Sequence, residues 1–256
     1  MRLWITLVFC ALLLPVEAQL DTLRFRRLTF DSTYSLIENK GVFRFEVRPD
    51  DYVFNGNRSQ MQSDTMKARQ YSFDFKVERY RHVDGAFFAL VDWHLHPKIA
   101  RENAYKGWGH RSVVAVILNK GRVEVGLRPM NEGRLKKILR MPLDTGWMHF
   151  EMIVNWSSDP KKGSVRIKLQ QDSVALDGIP TLYMDGKAPF FKLGIYKSFV
   201  HTDTAVVSYR NVRVNGKPST PDWMRPAKGA GKGYKKNGID KGFDLERYER
   251  YRNRKK

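Results

Sequence analysis

YSFDFKVE, at residues 71–78, places an apolar side chain at every second position. A period of two is typical of a β-strand with one buried face and one face in water. Residues 148–156, MHFEMIVNW, repeat the pattern. Beyond the first eighteen residues, no stretch of a dozen residues shows a convincing helical face. The sequence therefore predicts an all-β protein.

Further strands are predicted around these two, and the turn at Asn119-Lys120-Gly121 is typical of a β-hairpin. Nine predicted strands within about 200 residues imply two packed antiparallel sheets. The remaining predicted strands are Val42–Arg48, Ala86–His96, Ser112–Leu118, Arg122–Leu127, Val165–Gln170, Phe190–Lys197 and Ala205–Val214.

The composition indicates a polyanionic partner. The chain has 46 Lys and Arg residues against 27 Asp and Glu residues, for a formal net charge of +19. A charge of this size favours nucleic acid, an anionic membrane or an acidic polysaccharide as the partner. The single cysteine, Cys10, excludes a disulfide framework, a thiolate zinc site and a cysteine nucleophile in one step.

The N-terminal segment 1–18 is typical of a secretory signal peptide. Arg2 precedes the apolar run Leu3 to Leu14, and Ala18 ends a small-residue cleavage pattern. The apolar run is shorter than the roughly 20 residues that a spanning helix needs, so no membrane insertion is predicted. We therefore expect a secreted or periplasmic protein. That location favours an acidic polysaccharide over nucleic acid as the partner.

The chain divides at its C-terminal end. A β body is predicted over residues 19–217, and Pro218, Pro221 and Pro226 follow it in quick succession. Residues 227–256 hold eleven Lys or Arg and four Asp or Glu. Such a composition is typical of a mobile, solvated tail, here residues 218–256, which can also bind an anionic polymer.

One group of charged side chains lies on the strand at Val42–Arg48. Arg44, Glu46 and Arg48 share a face, because residues two apart on a strand point the same way. Two guanidinium groups held by a carboxylate between them suit successive acidic groups of an extended polymer. A solvated charged face is the alternative interpretation.

Two further groups share faces on other strands. Asp92, His94 and His96 form one, and Lys192 and Tyr196 form the other with Gly194 between them. Glycine at that position leaves room for something to approach the backbone.

A metal site is the competing interpretation of the histidines. His94 and His96 match the His-x-His ligand pattern of cupins, a family of metal-binding β proteins. Glu102 is one residue too far for the cupin spacing, and no later histidine motif follows. No metal site is therefore predicted, although a structural divalent cation stays open.

Five segments together resemble the secreted polysaccharide lyases of β-jelly-roll fold, which include heparin lyase and glucuronan lyase and, more distantly, the alginate lyases. PFFKLGIY at residues 189–196 is the most specific match and is similar to the family's strand with a catalytic tyrosine. FALVDWH at residues 88–94 is similar to the strand with a catalytic histidine. The other segments are 43–50, 57–61 and 207–214.

The resemblance implies a concanavalin A-like jelly-roll sandwich with a concave substrate cleft. It implies β-elimination at a uronic acid by a monomer that requires no cofactor. Tyr196 and His94 would transfer protons, and Arg48 or Arg58 would neutralise the substrate carboxylate together with Lys192. The further substrate-binding candidates are Arg44, Gln60 and Asp92. A strongly cationic cleft is expected to favour the phenolate of Tyr196.

Three positions depart from the family's pattern. Gln60 replaces a glutamate, Asp92 replaces a glutamine, and Arg210 stands where many members have aspartate. The first two lie beside the predicted site. They leave open a non-catalytic, lectin-like module that binds the same kind of polymer.

Overall fold

The computed structural model describes residues 25–29, 33–49, 51–53, 56–65, 68–84, 86–94, 112–128, 135–182, 189–198, 203–215 and 217–218. All regular structure in these ranges is β-strand, and all pairings are antiparallel. The predicted signal peptide and most of the predicted tail lie outside the described residues, so both stay predictions. Nothing in the described part of the chain is a helix long and apolar enough to cross a membrane.

One sheet, here called the site sheet, has the strand order β1-β5-β14-β7-β8-β9-β10, with β4 paired to β5. Its strands are β1 (Phe25–Thr29), β4 (Tyr52–Val53), β5 (Gly56–Thr65), β7 (Phe88–His94), β8 (Ser112–Asn119), β9 (Arg122–Leu127), β10 (Lys136–Pro142) and β14 (Phe190–Lys197).

The other sheet, here called the back sheet, has the order β13-β12-β11-β6-β15-β3-β2, with β16 paired to β15. Its strands are β2 (Leu36–Asn39), β3 (Val42–Val47), β6 (Gln70–Arg79), β11 (Met148–Asn155), β12 (Ser164–Leu169), β13 (Asp172–Asp177), β15 (Ala205–Val214) and β16 (Lys217–Pro218).

Aromatic side chains from the two sheets meet in the core. Trp93 of the site sheet is fully buried, and its ring lies 5.1 Å from that of Tyr71 and 5.8 Å from that of Phe150, both on the back sheet. Aromatic pairs at such distances add to the stabilisation from buried apolar area. This layer fixes the two sheets against each other.

One tyrosine links the sheets by hydrogen bonding. The Tyr209 hydroxyl, from the back sheet, lies 2.8 Å from the Leu90 carbonyl and 3.0 Å from the Gly194 carbonyl. Both carbonyls belong to the site sheet, where the pairing of β7 with β14 shifts register. The hydroxyl donates a hydrogen bond that the two carbonyls share. It therefore stabilises, from the core side, the stretch in which the register between β7 and β14 shifts.

The all-β sandwich of two antiparallel sheets is confirmed. The predicted strands at Arg122–Leu127, Phe190–Lys197 and Ala205–Val214 have the bounds that the structure shows, and the ends of the others differ by one or two residues. The strands that the sequence did not predict include β5 and β10. Both matter for the site.

Candidate functional site

The candidate site lies on the face of the site sheet that points away from the core, here called the site face. On β14, Phe191, Leu193 and Ile195 are buried in the core. Alternation therefore puts Lys192 and Tyr196 on the site face. By the same argument, the burial of Met61 and Trp93 in the core places four further side chains on the site face: Arg58, Gln60, Asp92 and His94.

The strand register arranges these residues in two rows across the sheet. In the first row, Lys192 pairs with Asp92 on one side and with Gln62 on the other. In the second row, Tyr196 pairs with Arg58 and with Ala89. The structure thus brings predicted residues from three separate segments onto neighbouring strands.

Arg58 and Tyr196 are in direct contact. The guanidinium carbon of Arg58 lies 4.7 Å from the centroid of the Tyr196 ring, a cation–π distance. The guanidinium also hydrogen bonds the tyrosine hydroxyl. A cation held on both the ring and the hydroxyl is well placed to act on the protonation of the phenol.

The Tyr196 phenol is nevertheless harder to ionise than a free tyrosine. Burial raises the pKa of Tyr196, Arg58 lowers it by charge and by its hydrogen bond, and the Asp92 carboxylate raises it again. The net effect is a raised pKa, so the expectation that the cleft favours the phenolate does not hold. The physical reason is that burial and Asp92 together outweigh Arg58.

Two polar side chains of the site carry buried atoms that have no hydrogen-bond partner within the described ranges. Gln60 is 1% exposed, and neither its amide nitrogen nor its amide oxygen has a hydrogen-bond partner among the described residues. Oδ1 of Asp92, a residue 5% exposed, is in the same situation. Because unpaired buried polar groups are costly, these atoms are suited to bind the polar groups of a ligand.

Gly194 serves the fold and leaves no room for a ligand at its backbone. Its φ is +128°, and a Cβ there would lie 2.3 Å from the Ser59 carbonyl oxygen and 2.8 Å from Cα of Gln60. The close approach predicted for this glycine is therefore made by the neighbouring strand β5. Gly194 brings Gln60 against β14.

His94 shares the site face but stands apart from Tyr196. It pairs with Phe190, six residues before Tyr196 along β14. That separation is roughly 17 to 20 Å along the strand. The two side chains therefore do not meet at one pair of reacting atoms, which leaves Tyr196 as the proton-transfer candidate.

Arg44 and Arg48 lie outside this cluster. The strand that carries Arg44, β3, pairs with β2 and β15 in the back sheet. Both guanidinium groups bind Glu46, at 2.9 Å and 2.8 Å, and Arg44 also contacts Glu78. Glu46 thus holds the two guanidinium groups as the sequence predicted, but they are not part of the cluster around Tyr196, and their predicted role in binding substrate there gains no support.

The metal interpretation gains no support within the described ranges. No group of three or more His, Cys, Asp or Glu side chains that could hold a metal ion occurs there. His96 and Glu102 lie outside the described residues. The cationic side chains of the site, Arg58 and Lys192, suit an anion and not a cation.

Gln62 is a site residue that the sequence did not reveal. It is 7% exposed and pairs with Lys192 on the site face. Its strand, β5, carries polar residues on both faces, because Ser59 and Ser63 point inward and bind backbone groups. The missing alternation hid the strand, although the spacing of Arg58, Gln60 and Gln62 is the signal that would have found it.

The family model described as polysaccharide lyase matches residues 19–213 of the chain. The chain therefore belongs to the polysaccharide lyase family, and it is an enzyme that acts on polysaccharides. No curated protein sequence matches it.

Solved structures of lyases share the fold. The endo-β-1,4-glucuronan lyase from the fungus Trichoderma reesei has a TM-score of 0.53 at 12% identity, covering 79% of this chain and 94% of that one. A variant of alginate lyase A1-II′ has a TM-score of 0.54 at 10% identity, covering 75% and 93%. Another variant of this family 7 alginate lyase, in complex with substrate, has 0.52 at 12% identity, covering 72% and 81%. This likeness confirms the jelly-roll fold.

Proposed function

We propose that this chain cleaves a uronate-containing polysaccharide by β-elimination at the site face. The observation that carries the proposal is that Lys192 and Arg58 occupy the two rows on either side of Gln60, with Tyr196 in contact with Arg58. Two cations against the single carboxylate of Asp92 leave one net positive charge. That balance suits the binding of one substrate carboxylate.

Neutralising the carboxylate is the first requirement of the chemistry. The proton at C5 of a uronic acid is not acidic while the neighbouring carboxylate keeps its full charge. Arg58 and Lys192 are already placed on the sheet, so they stabilise the charge that develops when the C5–H bond breaks. The Gln60 amide, which has no partner among the residues that the structure describes, would donate a further hydrogen bond to the same group.

Proton transfer is the second requirement. Removal of the C5 proton forms the C4–C5 double bond, and the C4–O4 bond breaks as O4 takes a proton. Tyr196 is the group for both transfers, because a syn elimination puts the C5 proton and O4 on the same side of the sugar. Arg58 assists by lowering the pKa of the phenol against the effects of burial and Asp92.

The setting of the reaction follows from the predicted N-terminal signal and the basic composition. Export as a monomer would bring the enzyme to acidic polysaccharides outside the cytoplasm. The net charge of +19 would attract such polymers over distances set by the ionic strength.

The experiment is a screen of the purified protein against polyuronates, sulfated uronate polymers and neutral polysaccharides. Elimination creates an unsaturated chain end, which absorbs in the ultraviolet and lacks the added water that hydrolysis gives. Unsaturated products from a uronate polymer would support the proposal. Products that carry added water, or cleavage of neutral polymers alone, would contradict it.

A binding-only role is the second candidate, and Asp92 is the observation that favours it. Its carboxylate raises the pKa of Tyr196 and so opposes formation of the phenolate base. Saturable binding of polyuronates with no unsaturated product would identify the chain as a lectin-like module.

A further inference from the structure

A second pair of cations lies at the far edge of the site face. Lys137 and Arg140, on the edge strand β10, both bind Glu124 of β9. The Lys137 Nζ is 2.8 Å from one Glu124 oxygen, and the Arg140 Nε is 3.1 Å from the other. The Glu124 side chain is fully buried, whereas the two cations are about half exposed.

The contacts of Arg140 leave its outer end available. The contact with Glu124 is made through the Nε, and the Arg140 side chain is 46% exposed. A guanidinium presents its donors as a fork that matches a carboxylate or a sulfate in two-point contact. The buried Glu124 thus orients Arg140 while its terminal nitrogens face outward.

Both cations continue the two rows that contain the proposed catalytic cluster. The first row continues from Lys192 and Asp92 through Ala115 and Gly126 to Lys137. The second continues from Tyr196 through Ala89, Ile117 and Glu124 to Arg140, with the same unbroken pairing. From β14 to β10 there are four strand spacings, or about 19 Å.

The residues between the two ends form an apolar floor. Ala89, Ala115 and Ile117 are buried there, and the half-buried side chains of Leu135 and Tyr196 pack on them. The site face is therefore charged at both ends and apolar in the middle. An extended sugar chain fits that pattern, because its ring faces are apolar and its acidic groups recur along its length.

We infer that Lys137 and Arg140 form a distal anion-binding subsite, which binds a second acidic group of the polymer whose cleaved unit lies at Tyr196. This inference rests on the proposed function and extends it. Two cations on one buried carboxylate leave one net positive charge, which matches one carboxylate or sulfate. The subsite would give the enzyme a preference for acidic chains long enough to span the sheet.

Protecting the edge strand β10 from aggregation is a simpler role for Lys137 and Arg140. That role does not require their contacts with a buried carboxylate. Exposed lysines alone discourage strand-to-strand aggregation. Here a fully buried carboxylate, which also accepts hydrogen bonds from the Asn119 amide, holds the two cations in place. Burying that carboxylate is costly, and an orienting role for it accounts for the cost.

The test measures the affinity of a long polyuronate and of a disaccharide in a Tyr196→Phe background, so that turnover does not interfere. Arg140→Lys keeps a cation near Glu124 and removes the fork, while Lys137→Gln with Arg140→Gln removes both charges. The matched control is Arg166→Gln with Lys168→Gln on β12 of the back sheet, which changes the net charge equally and whose side chains are exposed.

We expect the affinity for the long polymer to fall about tenfold in Arg140→Lys and further in the double variant, which loses two charge-assisted contacts. The disaccharide affinity and the control should be unchanged. If Arg140→Lys and the double variant bind the long polymer as the parent does, or if disaccharide binding falls equally, the inference is overturned.

The same measurements separate this inference from the proposed function. A wild-type protein that binds a polyanion through Lys137 and Arg140 but yields no unsaturated product would contradict the lyase proposal and support the subsite. A protein that cleaves polyuronates with no dependence on Lys137 and Arg140 would support the lyase proposal and contradict the subsite. Failure to bind any polyanion would overturn the subsite.

Discussion

Arg58 contacts Tyr196 in two ways, with its guanidinium carbon 4.7 Å from the ring centroid and a hydrogen bond to the hydroxyl. The pair spans β5 and β14, which are adjacent in the sheet although they lie far apart in the chain. Burial lowers the pKa of Arg58, and Tyr196 and Asp92 act against that effect. The tyrosine and its cation therefore form one electrostatic unit.

Removing this cation should move the pH profile of the reaction. Arg58 lowers the pKa of Tyr196, so Arg58→Gln should raise that pKa further. If the phenolate is the base, the rising limb of kcat/KM against pH should then shift to higher pH, and the maximal rate should fall. Arg58→Lys keeps the charge and should shift the limb less. An unchanged pH profile in Arg58→Gln would show that the tyrosine does not titrate in catalysis.

The site and the back sheet should respond differently to the loss of one positive charge. Lys192→Met should lower kcat/KM by roughly 10- to 100-fold, because a cation that stabilises the developing charge is lost. Arg44→Met removes the same charge from the paired cluster on β3 and should leave kcat/KM close to that of the parent. Equal losses in both variants would mean that long-range attraction, and not local neutralisation, is being measured.

Gly194 should tolerate no side chain. In Gly194→Ala the new Cβ would lie 2.3 Å from the Ser59 carbonyl oxygen, at a φ of +128°. We expect a loss of at least about 3 kcal/mol in the free energy of unfolding. Gly41→Ala is the control, because Gly41 also has positive φ but nothing lies within 4 Å of its Cβ position. That variant should lose only about 1 to 2 kcal/mol. Chemical denaturation compares the two, and similar losses would contradict the contact.

Lys197 should make the free energy of unfolding depend on pH in the alkaline range. It is 1% exposed, and burial lowers its pKa to about 8 from the ordinary 10.5, with Asp203 and Asp51 acting in the opposite direction. Between those values the unfolded chain holds more protons, so stability rises with pH, by at most about 1.4 kcal/mol per pH unit. The difference in the free energy of unfolding between the parent and Lys197→Met should therefore shift in favour of the parent from pH 8 to 10.5. Below that range the difference should be constant. A difference independent of pH would contradict a buried ammonium with a lowered pKa.

The sequence predicted the strands in which apolar and polar residues alternate, and β14 is the clearest case. It could not reveal β10, because a register shift between Lys137 and Leu139 interrupts the period of two. The sequence also grouped Arg44 with Arg58 at one site, although their strands lie in different sheets. Alternation shows which face of a strand a residue occupies but not which sheet the strand joins. Sheet membership depends on pairing between distant segments, such as β3 with β15. The separation of His94 from Tyr196 depends on the same kind of information.

The most direct measurement of the central claim is the initial rate of unsaturated product formation by Tyr196→Phe on the best polyuronate from the screen. Tyr80→Phe is the control, since it removes a hydroxyl that binds His82 away from the site. Tyr196→Phe keeps the ring that Arg58 contacts, so its polymer affinity should survive, while its rate should fall at least about a hundredfold. A Tyr196→Phe enzyme with nearly the parent rate would contradict the assignment of proton transfer to Tyr196.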